Sequence, residues 1–487
     1  MQTRSESDLH MIRDLFIDFE NHNSLARSER LKMQEDFENA LLYYESTGAP
    51  LEEALRRLSI KNLGGFYTRP PVLWYALDNA AKIYPISMKH GQMAMFRISV
   101  NLKHPVVPEL LQMALTFTIK RFPTFATTVK KGFFWHYLDT TKRRYFIAPE
   151  SDIPCMPLKI SRSSSQTFRV LYYKNRVSVE CFHILTDGAG GMVFTKTLVA
   201  EYLKLMGAEP AHGDEGILNI NDSPSQDEAT NEFHHTEKTE NISGFINKPA
   251  VQMSGKLSKI KPCRILHFKM DSESLKQAAN NRNTTITAYI LALMFAAGKF
   301  ATDEFEGNMR IQVPVNMRKY YPSVTLRNFS MYCGVDLPLS EISDLDTIIP
   351  NITHQLEQKA SKQCMSEMIN STERMVGAVR YVPLFIKTPA ARIIYGYLSD
   401  RIFSTTLSNV GIINMPPGLE EHIDSIDCVL GSAQTNRASC AMATYGNTAS
   451  LSITKNTADP TFEEELFRLL KSDGVTLVVE GSVLYGS

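Results

Sequence analysis

Several features that would point to particular classes of protein are missing from this sequence of 487 residues. Neither sign of charge is in excess: lysine plus arginine and aspartate plus glutamate number 52 each, which gives no argument for a nucleic-acid or anionic-membrane partner. An unbroken apolar run of about 18 residues, which a membrane-spanning helix needs, is also absent. The first residues lack the apolar core of a signal peptide. We therefore expect a soluble, cytoplasmic protein without a transmembrane segment, acting on a small or amphipathic partner.

The seven cysteines form no recognisable framework, because they are scattered, odd in number and never arranged as Cys-x-x-Cys. This pattern argues against a disulfide scaffold and a structural zinc site, and it favours reduced thiols. The adjacent His234 and His235 lie in a polar stretch without cysteines nearby, so a solvated pair is favoured over a metal site. No metal and no bound cofactor are expected.

The length exceeds that of one ordinary domain and predicts two globular units with smaller additions. Residues 1–60 carry apolar positions at helical spacing and predict helices that need a surface on which to pack. Residues 207–260 are rich in small and polar residues and predict a linker. The expected order is a helical N-terminal extension (1–60), a first subdomain (61–206), the linker (207–260) and a second subdomain (261–487).

Strand and helix patterns alternate in both subdomains and predict an α/β fold with mixed sheets. In the first subdomain, apolar alternation predicts a hairpin of residues 168–173 and 176–182, followed by a helix over 192–205. In the second subdomain, helices are predicted over 344–368 and 390–402. The hairpin of the first subdomain therefore leads directly into a short polar stretch before its helix.

That polar stretch holds the most informative motif, in which His183 stands four residues ahead of Asp187 and is followed by Gly188. The imidazole is placed at the end of a strand, before a glycine-rich turn and a helix. A histidine at such a position can take a proton from a nucleophile near neutral pH. The alternative is a histidine with only structural hydrogen bonds at a strand end. The strand, turn and helix around it favour a catalytic role.

The motif resembles the His-x-x-x-Asp-Gly pattern of the superfamily that contains chloramphenicol acetyltransferase, nonribosomal-peptide condensation domains and alcohol acetyltransferases. Residues 313–318 with 326–329 are similar to the strand, turn and Asn-Phe segment of that superfamily, and residues 407–411 to the Ser-Asn-x-Gly element of its alcohol acetyltransferase-like members. The sequence most resembles the bacterial alcohol acetyltransferase-like proteins. The resemblance runs from about residue 61 to the end, and it implies two similar subdomains around a central tunnel with His183 near its middle.

The activity that this resemblance implies is transfer of an acyl group from an acyl thioester, preferably acyl-CoA, to an alcohol or amine, with His183 as the general base. Such a reaction needs alignment, proton removal and oxyanion donors, and it requires no metal. Two alternatives stay open: a condensation-type acyltransferase that uses an acyl carrier protein as donor, and a non-catalytic binding module of the same fold. Condensation domains usually have a second histidine directly before the base, but Phe182 stands there and favours a free alcohol or amine acceptor.

The resemblance also implies a structural role for the aspartate of the motif. In the superfamily this aspartate pairs with an arginine and fixes the loop, so Asp187 is expected to pair with Arg318 beside Gly188. An Arg318 side chain that faces solvent is the alternative. Loss of one partner of a partly buried pair would leave an uncompensated charge and damage the loop.

Three residues of the Ser-Asn-x-Gly element are the remaining candidates. Ser408 and Asn409 could donate hydrogen bonds to the oxyanion or line the tunnel, with Gly411 giving the backbone clearance. An ordinary turn is the alternative, because asparagine followed by Val-Gly is also common in turns.

Overall fold

Ten stretches of the chain are described by the computed structural model: residues 4–21, 27–63, 74–82, 84–85, 93–141, 144–158, 166–210, 216–239, 248–389 and 401–485. The α-helices with defined ends in these stretches are α1 (Glu6–Asn21), α2 (Arg27–Ser46), α3 (Leu51–Arg57), α4 (Ile60–Leu63), α5 (Pro108–Arg121), α6 (Gly188–Leu205), α7 (Ser272–Asn281), α8 (Ile286–Phe300), α9 (Leu345–Lys359), α10 (Lys362–Ala378) and α11 (Thr461–Ser472). None of them is both long and apolar enough to cross a bilayer.

The strands of the described stretches form three sheets. They are β1 (Trp74–Ala76), β2 (Met95–Leu102), β3 (Thr127–Lys131), β4 (His136–Thr140), β5 (Ile147–Pro149), β6 (Phe168–Tyr173), β7 (Arg176–Phe182), β8 (Arg264–Asp271), β9 (Asn308–Asn316), β10 (Ser330–Pro338), β11 (Thr405–Ile413), β12 (Ile423–Leu430), β13 (Ala438–Tyr445), β14 (Thr448–Lys455) and β15 (Leu477–Gly481). The sheet orders are β1-β4-β3, β12-β2-β7-β6-β5 and β10-β9-β11-β13-β14-β8-β15. Parallel pairs (β5 with β6, β11 with β9 and β13) occur beside antiparallel ones, which confirms the predicted mixed α/β architecture.

The predicted hairpin before the histidine motif is confirmed as β6 and β7, whose register pairs Tyr173 with Arg176 across a tight turn. The turn is possible because Lys174 adopts a φ of 51°. The helix that follows, α6, begins at Gly188 and not at residue 192. Its start is fixed by Asp187, whose side chain accepts a hydrogen bond from the Gly190 N–H at 3.0 Å and so caps the helix.

Two hydrophobic cores lie on different sheets, one against the five-stranded sheet and one against the seven-stranded sheet. The N-terminal helices belong to the first core, where Phe37 is fully buried and its ring lies 6.1 Å from that of Phe117 in α5. The Tyr44 hydroxyl donates to the Leu205 carbonyl at 2.6 Å and joins α2 to the end of α6. The helices of residues 1–60 therefore pack on the same elements that position the histidine motif.

One strand crosses between the two halves of the chain. β12 comes from the range assigned to the second subdomain, but it pairs with β2 in the five-stranded sheet, where Cys428 lies opposite Ile98. The two halves of the chain therefore contribute strands to the same sheet. The division into four segments by residue number remains a prediction.

The segment predicted as a linker carries ordered structure in its described part. Arg121 of α5 makes two hydrogen bonds to Glu228, at 2.5 and 2.7 Å, and the Leu326 N–H donates to the Glu228 carbonyl. Phe233 is buried, and its ring lies 5.2 Å from that of Phe329. The polar composition did not indicate this packing, because a buried ion pair depends on a partner that is distant in sequence.

The predicted helix over residues 344–368 is wrong as a single element, because two helices, α9 and α10, occupy this region. Ser361 stands between them and caps α10 by accepting a hydrogen bond from the Cys364 N–H at 3.3 Å. A new N-cap inside an apolar periodic stretch ends one helix and begins another. Most of the helix predicted over 390–402 lies outside the described residues.

Candidate active site

His183 directly follows β7 and lies among aromatic side chains. Its backbone N–H donates to the Ala94 carbonyl at 2.9 Å, which extends the pairing of β7 with the chain before β2. The imidazole ring lies 4.7 Å from the ring of Phe96 and stacks on that of Tyr84 at 5.8 Å and 23°. Its Nδ1 atom is buried and has no hydrogen-bond partner among the described residues. The two aromatic rings hold the imidazole in place, while its buried Nδ1 atom stays available for a hydrogen bond.

The surroundings favour a neutral imidazole. Burial lowers the pKa of His183 to about 4, and it outweighs the opposing effects of the negative charge on Asp187 and of the nearby Thr186 backbone. At neutral pH the ring is therefore unprotonated. In this state an imidazole can accept a proton from an alcohol or amine.

The carboxylate of Asp187 is fully engaged away from His183. Its Oδ1 atom accepts from the Gly190 N–H at 3.0 Å, and its Oδ2 atom accepts from Arg318 and from the Phe329 N–H, both at 2.7 Å. The side chain is buried. These three bonds connect the start of α6 to the chain around β10, so the carboxylate links elements from both halves of the protein.

The guanidinium of Arg318 binds that carboxylate and several groups of its own loop. Besides Asp187, it donates to the side-chain oxygen of Asn316 at 3.2 Å and to the carbonyls of Thr325 and Arg327 at 2.7 and 2.9 Å. The loop between β9 and β10 is thereby closed on itself and attached to the histidine motif. Arg318 is paired within the protein, with little of its side chain exposed.

Steric contacts require glycine at positions 190 and 191 of the motif, and not at Gly188, which the sequence analysis had named. A Cβ added at Gly188 would meet nothing within 4 Å. At Gly190 it would lie 2.3 Å from the Leu326 carbonyl oxygen, and at Gly191 it would lie 2.9 Å from the ring of Phe96. The backbone of α6 therefore packs closely at 190 and 191, both against the second half of the chain and against β2.

The Ser-Asn-x-Gly residues lie on β11, and their hydrogen bonds are local to it and α8. Asn409 donates to the Thr287 hydroxyl and accepts from the Gly411 N–H, both at 2.9 Å. Gly411 has a φ of +87°, next to a shift in the pairing of β11 with β13, so this bulge favours glycine. Among the described residues, neither Ser408 nor Asn409 bonds to His183. The structure therefore brings together His183, Asp187 and Arg318, and the oxyanion role of the other group remains a prediction.

Comparisons with known proteins find similarity in structure alone. No protein-family profile matches the sequence, and no curated protein sequence matches it either. TRI101 of Fusarium sporotrichioides, solved with coenzyme A and T-2, is 10% identical, covers 83% of this chain and 100% of its own, and has a TM-score of 0.58. The trichothecene 15-O-acetyltransferase TRI3 of Fusarium sporotrichioides is 11% identical, with coverages of 83% and 98% and a TM-score of 0.55. The chain has the two-subdomain fold of the chloramphenicol acetyltransferase and condensation-domain superfamily.

Two further matches show how varied the proteins with this fold are. The starter condensation domain of rhizomide synthetase, solved as a variant with C8-CoA and Leu-SNAC, is 13% identical, with coverages of 82% and 94% and a TM-score of 0.51. Polyketide synthase associated protein 5 of Mycobacterium tuberculosis is 13% identical, with coverages of 82% and 98% and a TM-score of 0.56. At these identities the superfamily fold is shared, while the substrates differ from protein to protein.

Three residues that contact His183 within this superfamily fold were not identified from sequence as site residues. Phe96 and Tyr84 contact the ring, and the Asn328 side-chain amide approaches the His183 carbonyl at 3.5 Å. Asn328 stood in a segment that the resemblance had indicated. Phe96 could have been inferred from a register between β2 and β7, but the segment with Tyr84 has no repeating pattern that predicts its position.

The described stretches contain no cluster of side chains that could bind a metal ion. No group of three or more His, Cys, Asp or Glu side chains there is placed to hold a metal ion. All seven cysteines are free thiols, and six of them are buried. Burial raises the pKa of Cys181, two residues before His183, which keeps this thiol protonated and unreactive.

Proposed function

We propose that this chain is an acyltransferase that moves an acyl group from acyl-CoA to an alcohol or amine, with His183 as the general base. The observation that carries the proposal is the separation of His183 from Asp187. The imidazole is neutral and has a buried, unpartnered nitrogen, whereas the carboxylate is committed to Arg318 and to two backbone N–H groups. Support for the class of reaction comes from the acetyltransferases and the CoA complexes among the proteins that share the fold.

The proton movements in this reaction need only one side chain. The neutral imidazole of His183 takes the proton from the acceptor O–H or N–H as the acceptor atom attacks the thioester carbonyl carbon. The C–S bond of the resulting tetrahedral intermediate then breaks. The imidazolium returns its proton to the departing sulfur, so that the products are the ester or amide and free CoA thiol. A thioester is already activated, and the enzyme is left unchanged after each cycle.

An imidazole with a pKa of about 4 is a weak base. It has to hold the proton of the acceptor only briefly, because it passes this proton to the departing sulfur. The aromatic neighbours contribute by excluding water from one side of the ring, which strengthens electrostatic interactions in the site. The predicted tunnel would bring donor and acceptor to His183 from opposite mouths. Ser408 and Asn409 remain the proposed donors to the transient oxyanion.

Asp187 and Arg318 act as positioning residues in this proposal. Their ion pair, together with the cap on α6, sets the path of the chain directly after the base. Because the carboxylate already accepts hydrogen bonds from three donors in other parts of the chain, it would not serve as a proton relay. Substitution of either residue is expected to move the base and not to remove a proton acceptor.

A second candidate keeps the chemistry and changes the donor to an acyl carrier protein. The observation that favours it is the presence of a condensation domain and a polyketide synthase associated protein among the structural matches. Both donors present the same phosphopantetheine thioester to the base. Rates measured with the same acyl group on CoA and on a carrier protein would separate them.

The test follows release of free thiol from acetyl-CoA and longer acyl-CoAs across a panel of alcohols and amines. We expect turnover with at least one pair and a fall of about 10²- to 10⁴-fold in kcat for His183→Ala. His10→Ala is the control, because this histidine lies on the exposed side of α1, where it pairs with Asp14. Full turnover by His183→Ala would disprove the assigned base. Ligand binding in calorimetry without consumption of any thioester would favour the non-catalytic module.

A further inference from the structure

An exposed apolar surface lies where the turn between β3 and β4 meets the chain after α10. We call it the aromatic patch, and its members are Phe133, Phe134, Tyr381, Phe385 and Ile386. Their side chains are 37% to 70% exposed. Single exposed apolar residues are usual in a soluble protein, but a contiguous group of large ones marks a surface that binds something.

The patch is continuous although it comes from two distant segments. The rings of Phe133 and Phe134 lie 4.9 Å apart, and that of Phe134 lies 6.2 Å from the ring of Tyr381. The Leu384 N–H donates to the Phe133 carbonyl at 2.8 Å, which ties the two segments together. Phe385 and Ile386 directly follow Leu384 in the sequence, so the two segments that carry the five apolar side chains meet at this backbone contact.

Further contacts hold the two segments of the patch together, which distinguishes it from a loose loop. The Lys387 ammonium lies 3.2 Å from the Trp135 ring centroid and also donates to the Val379 carbonyl at 3.3 Å. The Gly132 N–H donates to the Trp135 carbonyl and closes the turn at 3.0 Å. A Cβ at Gly132 would lie 2.5 Å from that carbonyl oxygen, so the turn needs glycine.

Positive charge surrounds the patch. Residues 127–138 and 374–389, which form it, contain no aspartate or glutamate. The cations in or next to it are Lys130, Lys131, Arg374 and Arg380, and the Arg380 guanidinium lies 4.6 Å from the Tyr381 ring centroid. Glu373, which precedes the second segment, is paired with Lys238 at 2.5 Å. Because the whole protein has equal numbers of both charges, this excess is local.

We propose that the aromatic patch is a docking surface for a lipid bilayer with anionic headgroups. Aromatic side chains are favoured at the level of the headgroups, where their apolar bodies are buried and their polar atoms stay wet. Lysine and arginine next to them are attracted by anionic lipids within a short distance of the surface. The patch combines both properties, and the protein would bind at the bilayer surface without crossing it.

A second copy of the chain fits this surface less well. A symmetric dimer would place the same patch on both sides of the interface, so that positive charge would face positive charge. Neither segment of the patch offers a carboxylate that could compensate. Charge complementarity therefore points to a partner with negative charge, which an anionic bilayer provides over a broad area.

The patch adjoins the chain that covers His183. The Lys82 ammonium lies 5.7 Å from the ring centroid of Trp135, which directly follows Phe134, and Tyr84, two residues after Lys82, stacks on His183. If the proposed acyltransferase function is correct, an amphipathic substrate dissolved in the bilayer would be delivered close to the base. Docking itself does not depend on that function.

The experiment uses the full chain and sedimentation with large unilamellar vesicles, made of phosphatidylcholine alone or of phosphatidylcholine with phosphatidylglycerol. We expect binding to the vesicles that contain phosphatidylglycerol, weakened by added salt. The double variants Phe133→Ser with Phe385→Ser and Lys131→Glu with Arg380→Glu should each lower the partition constant by about tenfold or more. All variants should keep the thermal midpoint of the parent, because the changed side chains lie on the surface.

The control variants are Phe305→Ser, which removes a phenylalanine that is 93% exposed elsewhere, and Lys276→Glu, which reverses an exposed charge on α7. Both should bind vesicles like the parent. Absence of binding to any vesicle, or equal losses in control and patch variants, would overturn the proposal. So would a self-association that the patch variants abolish in analytical ultracentrifugation, if vesicles are not bound. The readout needs no turnover, so failure of the proposed enzymatic function would leave it interpretable.

Discussion

Arg318 and Asp187 form an ion pair at 2.7 Å across 131 positions of sequence, and it joins the loop between β9 and β10 to the helix that follows His183. The same carboxylate caps α6 and accepts the Phe329 N–H. The position of the proposed base thus depends on contacts between the two halves of the chain. Four predictions test how this arrangement is built.

Removal of the carboxylate should destabilise the whole protein. Asp187→Ala leaves the Arg318 guanidinium without its charge partner and α6 without its cap, and we expect a loss of about 3 to 5 kcal/mol in the free energy of unfolding. Urea denaturation measures this loss. The control is Asp336→Ala, which removes a more exposed partner of Lys359 and should cost less than about 1 kcal/mol. Equal losses of unfolding free energy in both variants would show that the Asp187–Arg318 pair stabilises the protein no more than the exposed Asp336–Lys359 pair does.

The pH dependence of catalysis should reflect the buried imidazole. Because the pKa of His183 is lowered to about 4, the base is lost only when the pH falls towards that value, and kcat/KM should be flat from about pH 5.5 to neutrality. Protonation also favours the unfolded state, where the pKa has its ordinary value near 6.5, so stability should decrease as the pH falls from about 6.5 to 4. Rates are therefore measured where circular dichroism shows native protein. A rate inflection near pH 6.5 would contradict the assignment.

Tyr84 should control that pKa through its stacked ring. Tyr84→Ala opens one face of His183 to water, so the acid limb of kcat/KM should move upwards, towards the ordinary pKa of histidine. Tyr84→Phe keeps the ring and serves as the conservative control, which should retain the parent profile. A merely structural role would lower the rate equally at every pH. An unchanged limb in Tyr84→Ala would show that other groups determine the desolvation of the base.

Two glycines of the motif should respond differently to the same substitution. A Cβ at position 190 meets the Leu326 carbonyl oxygen at 2.3 Å, whereas at position 188 it meets no atom within 4 Å. Gly190→Ala should therefore lower the thermal midpoint by several degrees, at a cost of about 1 to 3 kcal/mol. Gly188→Ala should leave it unchanged or raise it slightly, because alanine favours the first turn of a helix. The reverse order would mean that α6 approaches the second half of the chain less closely.

Local sequence accounted well for elements whose determinants are close together in the chain. The β6–β7 hairpin, for example, follows from apolar alternation around a short turn. The cap at Ser361 was missed because the apolar period continues across it. In the segment 216–239, packing depends on the Arg121–Glu228 pair, which has no local signature.

The charge balance illustrates the same limit at the surface. Equal totals of acidic and basic residues gave no reason to expect an anionic partner. Folding joins the segment that contains Lys130 and Lys131 to the segment that contains Arg380, about 250 positions away, through the Leu384–Phe133 hydrogen bond. A whole-chain count cannot reveal such a cluster, because the electrostatic potential near a surface depends on charges within roughly 10 Å.

The sequence by itself determined the mixed α/β architecture and the strand-end position of His183, because these depend on apolar periodicity over a few residues. Only the tertiary structure decided which side chains surround the imidazole. Tyr84 and Phe96 meet there through contacts between segments that are distant in sequence, which no local pattern encodes. Burial in that assembly, and not the motif itself, lowers the pKa of His183 and leaves the ring neutral.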